Sequence, residues 1–186
     1  MKKMALLLIF FLPYAHARDL SYSYVDIGFG STETEVSGIE IEGDTKSVLI
    51  SAEVGDKAYV LAMHGNTELD FDFETNLFRA GLGFHTDLAE GTDIFAAVSF
   101  VSSEVEHPSI GAEDDTGIGM DAGIRHLVND NLELNAGLVH ISLFDESETA
   151  FGFGARLYAT ESVSVGFNYA MADDTDGIGF SLRVGF

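Results

Sequence analysis

The sequence contains histidines that could take part in hydrolytic chemistry. A hydrolase needs an imidazole as general base beside a carboxylate or a nucleophilic hydroxyl. The candidates are His64, His107 and His140, with Asp70, Asp145 and Ser142 as possible partners. These residue types are common, and no G-x-S-x-G, H-E-x-x-H or phosphate-binding loop accompanies them. We therefore predict that the protein is not an enzyme and holds neither a cofactor nor a metal ion, and a hydrolase is the least favoured alternative.

A second set of residues could act electrostatically. It consists of Arg79, Arg125, Arg156 and Arg183 with the carboxylates Glu53, Asp121 and Glu133. In the segment "GIRHLVNDNLEL", a turn centred near Asn129 would place Arg125 directly opposite Glu133. Such a cross-strand pair contributes roughly 0.2–1 kcal/mol. Arg156 and Arg183 are expected near one end of the fold with Glu53, and Arg79 at about mid-height.

Alternating apolar and polar residues predict the strands that would carry these charges. Residues 178–186 place large apolar side chains at every second position, with small or polar residues between them. The same pattern predicts strands at 20–30, 46–54, 58–64, 77–86, 93–102, 117–126, 131–140, 149–158, 163–171 and 177–186. Tyr59, Leu61 and Met63 form the apolar set of the third strand. The first strand changes phase near Tyr24 and Val25, where a bulge or an interfacial aromatic is expected.

The N-terminus and the composition describe an exported, strongly acidic chain. Lys2 and Lys3, an apolar run and the sequence Ala-His-Ala at 15–17 predict a cleaved signal peptide over residues 1–17, which leaves a single domain at 18–186. Removal of the two lysines changes the formal net charge from −22 to −24 and argues against nucleic acid as a partner. Cysteine is absent, so no disulfide framework or thiolate site is possible. Mean hydropathy is nevertheless +0.17. A chain that is both acidic and net apolar must place its charged and its apolar side chains on different surfaces.

The connections between the predicted strands alternate in length. Short turns such as "GDK" and "ATES" alternate with longer acidic stretches such as "STETEVSGIEIEGDT" and "SSEVEHPSIGAEDDT". This alternation is typical of bacterial outer-membrane barrels, in which short turns and long loops lie at opposite ends. In lipid, a sheet satisfies its backbone only by closing on itself. We predict a monomeric, transmembrane, antiparallel up-and-down β-barrel of ten strands, with eight as the alternative, and a soluble exported barrel or sandwich as the architectural rival.

Two segments carry a resemblance to known proteins. The terminal "IGFSLRVGF" resembles the C-terminal signature of outer-membrane barrels, with Phe180, Leu182, Val184 and Phe186 at the matching positions. This resemblance implies recognition by the barrel-assembly machinery and its periplasmic chaperones. The opening "RDLSYSYVDIGFGSTE" resembles small porin-like outer-membrane proteins of the Ax21 type. That family implies location and fold more than a molecular activity.

The sequence is compatible with several functions. The inward charges could form a structural network that fills a narrow barrel. They could instead form a selectivity constriction with arginine as fixed positive charge. The acidic stretches could be a solvated surface, a surface for recognition or adhesion, or a site where divalent cations bridge to anionic lipopolysaccharide. We therefore expect an outer-membrane barrel with a structural or narrow-pore role, in contact with membrane lipid and lipopolysaccharide.

Overall fold

The protein folds as a closed barrel. The structure, a computed structural model, describes residues 19–36, 39–109, 111–143 and 146–186, and the predicted signal peptide lies outside these residues. The strands in the described residues are β1 Tyr24–Val36, β2 Ile39–Glu53, β3 Ala58–Leu69, β4 Phe73–Ala89, β5 Thr92–His107, β6 Gly111–Asn129, β7 Leu132–Leu143, β8 Glu146–Tyr158, β9 Val163–Met171 and β10 Thr175–Gly185. Each strand pairs antiparallel with its neighbours in sequence, and β1 pairs with β10 to close the sheet. The predicted ten-stranded antiparallel barrel is confirmed.

An apolar belt covers the outside of the barrel. Within each strand the large apolar side chains at alternate positions are exposed, as in β10, where Phe180 is 62% and Leu182 45% exposed. Val184 and Phe186 continue the same face to the end of the chain. A water-soluble fold would bury such side chains, whereas a transmembrane barrel presents them to lipid over a band about 25 Å tall. No helix in the described part of the chain is long and apolar enough to cross a membrane.

Much of the acidic sequence continues the strands, although Asp70–Asp72 form a 3-10 turn and Asp173 and Asp174 lie between β9 and β10. Strand β6 has 19 residues and begins at Gly111, six residues before the predicted start. Strands β1 and β2 pair as far as Val36 and Ile39, so the expected long connection is a strand hairpin. The prediction ended each strand where its apolar alternation ended, but backbone pairing continues beyond the belt. The acidic residues of these strand extensions are therefore held in register at the end of the barrel opposite the short turns, here named the hairpin end.

The first strand differs from its prediction. Strand β1 begins at Tyr24, and residues 20–23, here named the strap, precede it. Leu20 and Tyr22 are buried, at 9% and 2% exposure, inside the short-turn end of the barrel. The change of phase near Tyr24 is thus the point where an inward-folded segment joins the wall.

The predicted parity of β3 is wrong. Tyr59 was expected on the apolar outer face with Leu61 and Met63, but it is 5% exposed and packs inside against Tyr22. Val60 lies on the outer face and is 43% exposed. Both faces of this strand carry apolar side chains, because the inner face packs against the strap, so alternation alone did not distinguish them.

Substitutions on the outer face test its contact with lipid. We expect Val98→Lys, in the middle of the belt, to lower the free energy of unfolding by about 2–4 kcal/mol, because a lysine there must enter hydrocarbon. Thr116→Lys, on the same face beyond the belt, is the matched control and should have a much smaller effect. Urea unfolding in phospholipid vesicles measures both variants. Equal costs at the two positions would contradict a lipid-facing belt.

Candidate functional site

The inward-facing arginines of the described residues lie in three groups, and the first is a buried pair near the short-turn end. Arg125 binds Glu133 through two hydrogen bonds, from Nε to Oε1 at 2.8 Å and from Nη2 to Oε2 at 2.9 Å. Arg125 is 6% and Glu133 1% exposed. The Tyr158 hydroxyl also donates to Glu133 Oε2. A bidentate, fully hydrogen-bonded pair is the form in which buried charges are tolerated.

The strand register of this pair differs from the prediction. Arg125 lies opposite Asn135, and Glu133 lies opposite Leu127. The register shifts between Leu127 and Asn129, where β6 holds one extra residue. The two side chains therefore meet diagonally instead of directly across the strands. The prediction assumed a regular hairpin, and no residue type in the segment indicates the extra residue.

The strap fills the centre of the same end. The Tyr22 ring stacks on His85 at 4.0 Å between centroids and on Tyr59 at 4.9 Å. Leu20 packs with Leu127 and Tyr158. Arg125 donates from Nη1 to the backbone oxygen of Ser21 at 2.9 Å, and its guanidinium lies 4.7 Å from the Tyr22 ring centroid. The strap is thus tied to the buried ion pair as well as to the aromatic stack.

Glu53, at the short-turn end, binds the strap. Its carboxylate accepts hydrogen bonds from the backbone N of Tyr22 at 3.4 Å and from the Ser23 hydroxyl at 3.3 Å. His85 lies between Glu53 and Asp93, with N to O distances of 3.9 and 3.5 Å. Glu53 therefore contacts the strap and His85, whereas Arg156 and Arg183 bind Asp26.

The second group lies on the wall formed by β4, β5 and β6. Arg79, 7% exposed, contacts Asp121 and donates from Nη2 to the Ser99 hydroxyl at 2.9 Å. Gly119 makes room for this contact, because a Cβ added there would lie 3.0 Å from Arg79 Nη2. A guanidinium paired at short range with one carboxylate leaves little net charge at this height.

The third group, here named the triad, consists of Arg156, Asp26 and Arg183. Asp26 lies opposite Arg183 in the β1–β10 register, and its Oδ2 accepts from Arg183 Nε at 2.8 Å and from Arg156 Nη2 at 2.7 Å. Asp26 is 7% exposed. Sequence reasoning missed Asp26, although it shares the inward parity of Gly28 and Gly30. The phase change before it concealed that parity.

Within the described residues, the three candidate histidines have separate surroundings. His64 lies on the outer face, opposite Val48 and Phe78. His140 bonds the Thr149 hydroxyl at 2.8 Å, and the His107 ring packs against Phe73 at 4.5 Å between centroids. Asp70 accepts from the backbone N of Glu42, Ser142 lies opposite Ile118, and Asp145 lies outside the described residues.

The fold is that of outer-membrane β-barrels. The N-terminal β-barrel domain of OprF from Pseudomonas aeruginosa is similar, with a TM-score of 0.51, 13% identity and coverage of 87% of this chain and 97% of that one. The translocator domain of the autotransporter NalP from Neisseria meningitidis has a TM-score of 0.50 and 12% identity, covering 91% and 90%. Neisserial surface protein A has a TM-score of 0.48 and 13% identity, covering 89% and 98%.

No protein-family model and no curated protein matches this sequence. The resemblance to the Ax21 type is accordingly not confirmed. At these identities the structural likeness defines a class of fold, the transmembrane antiparallel barrel, and the inward charges of this chain must be interpreted from its own geometry.

Breaking the buried pair tests whether Arg125 and Glu133 depend on each other. We expect Arg125→Met to lower the free energy of unfolding by about 3–5 kcal/mol, because it leaves Glu133 buried without its counter-charge. The double variant Arg125→Met/Glu133→Leu should recover most of this loss. A double-mutant cycle by urea unfolding in vesicles measures the coupling. Lys46→Met, which breaks an exposed pair with Glu68, is the control and should change stability little; an effect of Arg125→Met as small as this would contradict the buried pair.

Proposed function

We propose that the protein is a non-catalytic integral protein of the bacterial outer membrane whose lumen is closed by its own side chains. The observation that carries this proposal is the filled short-turn end, where the strap and the Arg125–Glu133 pair occupy the interior. Leu127 and Glu133 there are 0% and 1% exposed. The interiors of small barrels are commonly filled by their own side chains. The solved barrels of similar fold support the location.

The orientation follows from the ends of the strands. Outer-membrane barrels keep short turns in the periplasm and longer connections outside the cell. By this rule the strap and Phe186 lie on the periplasmic side, and the acidic hairpin end lies outside. Phe180, Leu182, Val184 and Phe186 face outward, accessible to the barrel-assembly machinery and periplasmic chaperones that we propose as folding partners.

Conductance of the unmodified protein tests the closed lumen. We expect the purified mature chain, reconstituted in planar bilayers, to show no large stable conductance steps, because buried side chains occupy the periplasmic end. Heat-modifiable migration on gels verifies that the reconstituted protein is folded. Reproducible steps of the size expected for an open ten-stranded lumen would contradict this function.

A second candidate function concerns the outer face just beyond the apolar belt. The strand register sets carboxylates directly opposite one another there, in the continuous row Asp44, Glu68, Glu74 and Glu106 across β2 to β5. Glu104 lies opposite Asp114 in the same way. These residues, here named the acidic collar, share the outward parity of the belt. Like charges directly opposite one another destabilise a sheet.

The acidic collar therefore needs counter-charge. Lys46 supplies part of it, with its Nζ 2.8 Å from Glu68 Oε1. Glu104 raises the pKa of Glu106 above its usual value through a hydrogen bond and its negative charge. Within the described ranges no three acidic or histidine side chains are grouped as a preformed metal site. The uncompensated carboxylates of the collar thus favour weak binding of several divalent cations, which would bridge the collar to lipopolysaccharide phosphates. Hard cations of this kind prefer oxygen ligands.

Magnesium dependence tests the collar. We expect magnesium to raise the unfolding temperature of the wild type more in lipopolysaccharide-containing vesicles than in phosphatidylcholine vesicles, because only the former supply phosphates to bridge. The variant Glu68→Gln/Glu74→Gln/Glu106→Gln should lose this difference. Asp56→Asn/Glu90→Gln/Asp130→Asn, which removes the same charge from the short turns, should retain it. An equal loss in both variants would show a general charge effect and contradict the collar.

A further inference from the structure

Two cavities lie along one wall of the barrel. The larger, about 500 Å³, opens toward the hairpin end and is lined by β1, β2, β9 and β10. The smaller, about 160 Å³, lies at the short-turn end beside the strap and is lined by Ser23, Tyr24, Ser164 and Gly185, among others. Arg183 lines both cavities. They are therefore consecutive spaces on the same side of the lumen.

Small residues create the larger cavity. Inward positions along β1 and β10 are occupied by Gly28, Gly30, Gly177 and Gly179. A Cβ added at Gly28 would lie 2.6 Å from the Ser47 hydroxyl, and one at Gly30 would lie 2.5 Å from the Ile178 carbonyl oxygen. A larger side chain would thus need the wall to shift. At these four positions no side chain enters the lumen, which leaves space for the larger cavity.

The opposite wall is blocked in two successive layers. Arg79, Asp121 and Ser99 occupy mid-height on β4, β5 and β6. Nearer the short-turn end, the stack of Tyr22, Tyr59 and His85 fills the interior. In the ring of strands, β5 lies diametrically opposite β10. Within the described residues, the two cavities leave room for a passage on the β1–β10 side, and the triad lies between them.

The triad bridges the linings of both cavities. Arg156 donates from Nη2 to the hydroxyl of Ser181, in the larger cavity, at 2.9 Å. It donates from Nη1 to the hydroxyl of Ser164, in the smaller cavity, at 3.3 Å. The Arg183 guanidinium lies 3.7 Å from the ring centroid of Tyr24, which also lines the smaller cavity. The two arginine side chains are thus the partition itself.

The ion pairing of this partition is incomplete. Both arginines share Asp26 Oδ2, whereas the buried Oδ1 has no hydrogen-bond partner within the described residues. Two guanidinium groups on one carboxylate leave an excess positive charge. The triad is therefore less well stabilised by its own hydrogen bonds and charges than the bidentate Arg125–Glu133 pair, because one oxygen and one positive charge stay uncompensated.

We propose that a narrow path for inorganic ions and small polar solutes runs along the β1–β10 wall, and that the triad is the constriction that keeps it shut. The proposal rests on the closed lumen of the proposed function, since it identifies the one layer whose removal would open that lumen. At the hairpin end, a separate cavity is lined by carboxylates that include Glu33, Asp173 and Asp174. An opened path should therefore favour cations, as pores lined by acidic rings do.

Single arginine substitutions test this path. Arg183→Ser removes the residue shared by both cavities and leaves the Arg156–Asp26 pair in place. We expect it to raise the conductance of folded protein in planar bilayers at least about tenfold over the wild type, with a cation-selective reversal potential in a potassium chloride gradient. Arg156→Ser, which retains the Arg183–Asp26 pair, is the second variant and should act in the same direction.

The control removes an ion pair from the opposite wall. Arg79→Ser/Asp121→Ser should leave the conductance at the wild-type level, because the Tyr22 stack still lies beneath it. The chain has no cysteine, so Ser181→Cys in the Arg183→Ser background gives one reactive site inside the path. A bulky thiol reagent should abolish the added conductance in that variant and leave Arg183→Ser alone unaffected.

The possible results distinguish a failure of this path from a failure of the closed lumen on which it rests. A wild type that already conducts strongly overturns the closed lumen and the inference with it. Folded Arg183→Ser and Arg156→Ser that both stay as silent as a silent wild type overturn only the path. Equal conductance in the opposite-wall control, or no effect of the thiol reagent, also overturns the assignment to the β1–β10 wall.

Discussion

Closure of the sheet on itself is the constraint on which the structure depends. Hydrocarbon offers no partner to a backbone N–H or C=O, so each strand must have a neighbour on both sides. Here that requirement is met by the β1–β10 pairing, which extends from Tyr24 opposite Gly185 to Thr34 opposite Thr175. With both edges removed, alternate side chains have only two destinations, lipid or lumen. The apolar belt and the polar interior are two consequences of the same geometry.

The interior must then accommodate charged side chains that are buried from solvent. Arg125 and Glu133 bind each other, with further hydrogen bonds to Ser21 and from Tyr158. Arg79 is paired with Asp121, whereas the triad keeps one unpartnered carboxylate oxygen and one excess positive charge. Buried charges tolerate this confinement only when they are paired and hydrogen-bonded. The three groups are thus unequal, and the least satisfied one separates the two cavities. Glycines on that wall give the lumen its asymmetry.

Much of this architecture could be predicted from the sequence because period-two alternation reports directly on which face a residue occupies. It identified every strand and placed the arginines on the inward parity. It was misleading where an inner face is also apolar, as at Tyr59, and where the chain enters the lumen, as at Tyr22. Asp26 was missed because the inward-folded strap precedes it and shifts the alternation at the start of β1. The diagonal Arg125–Glu133 contact depends on a register shift, and the strand extensions depend on backbone pairing, neither of which side-chain hydrophobicity encodes.

Refolding in the presence and absence of an amphiphile tests the central claim most directly. Far-ultraviolet circular dichroism and sedimentation of the denatured mature chain, diluted into buffer or into detergent micelles, report strand content and assembly. The exposed belt predicts a monomeric β-barrel spectrum in micelles and aggregation in buffer, because water cannot solvate an uninterrupted apolar surface. A soluble, fully folded monomer in plain buffer would contradict the account.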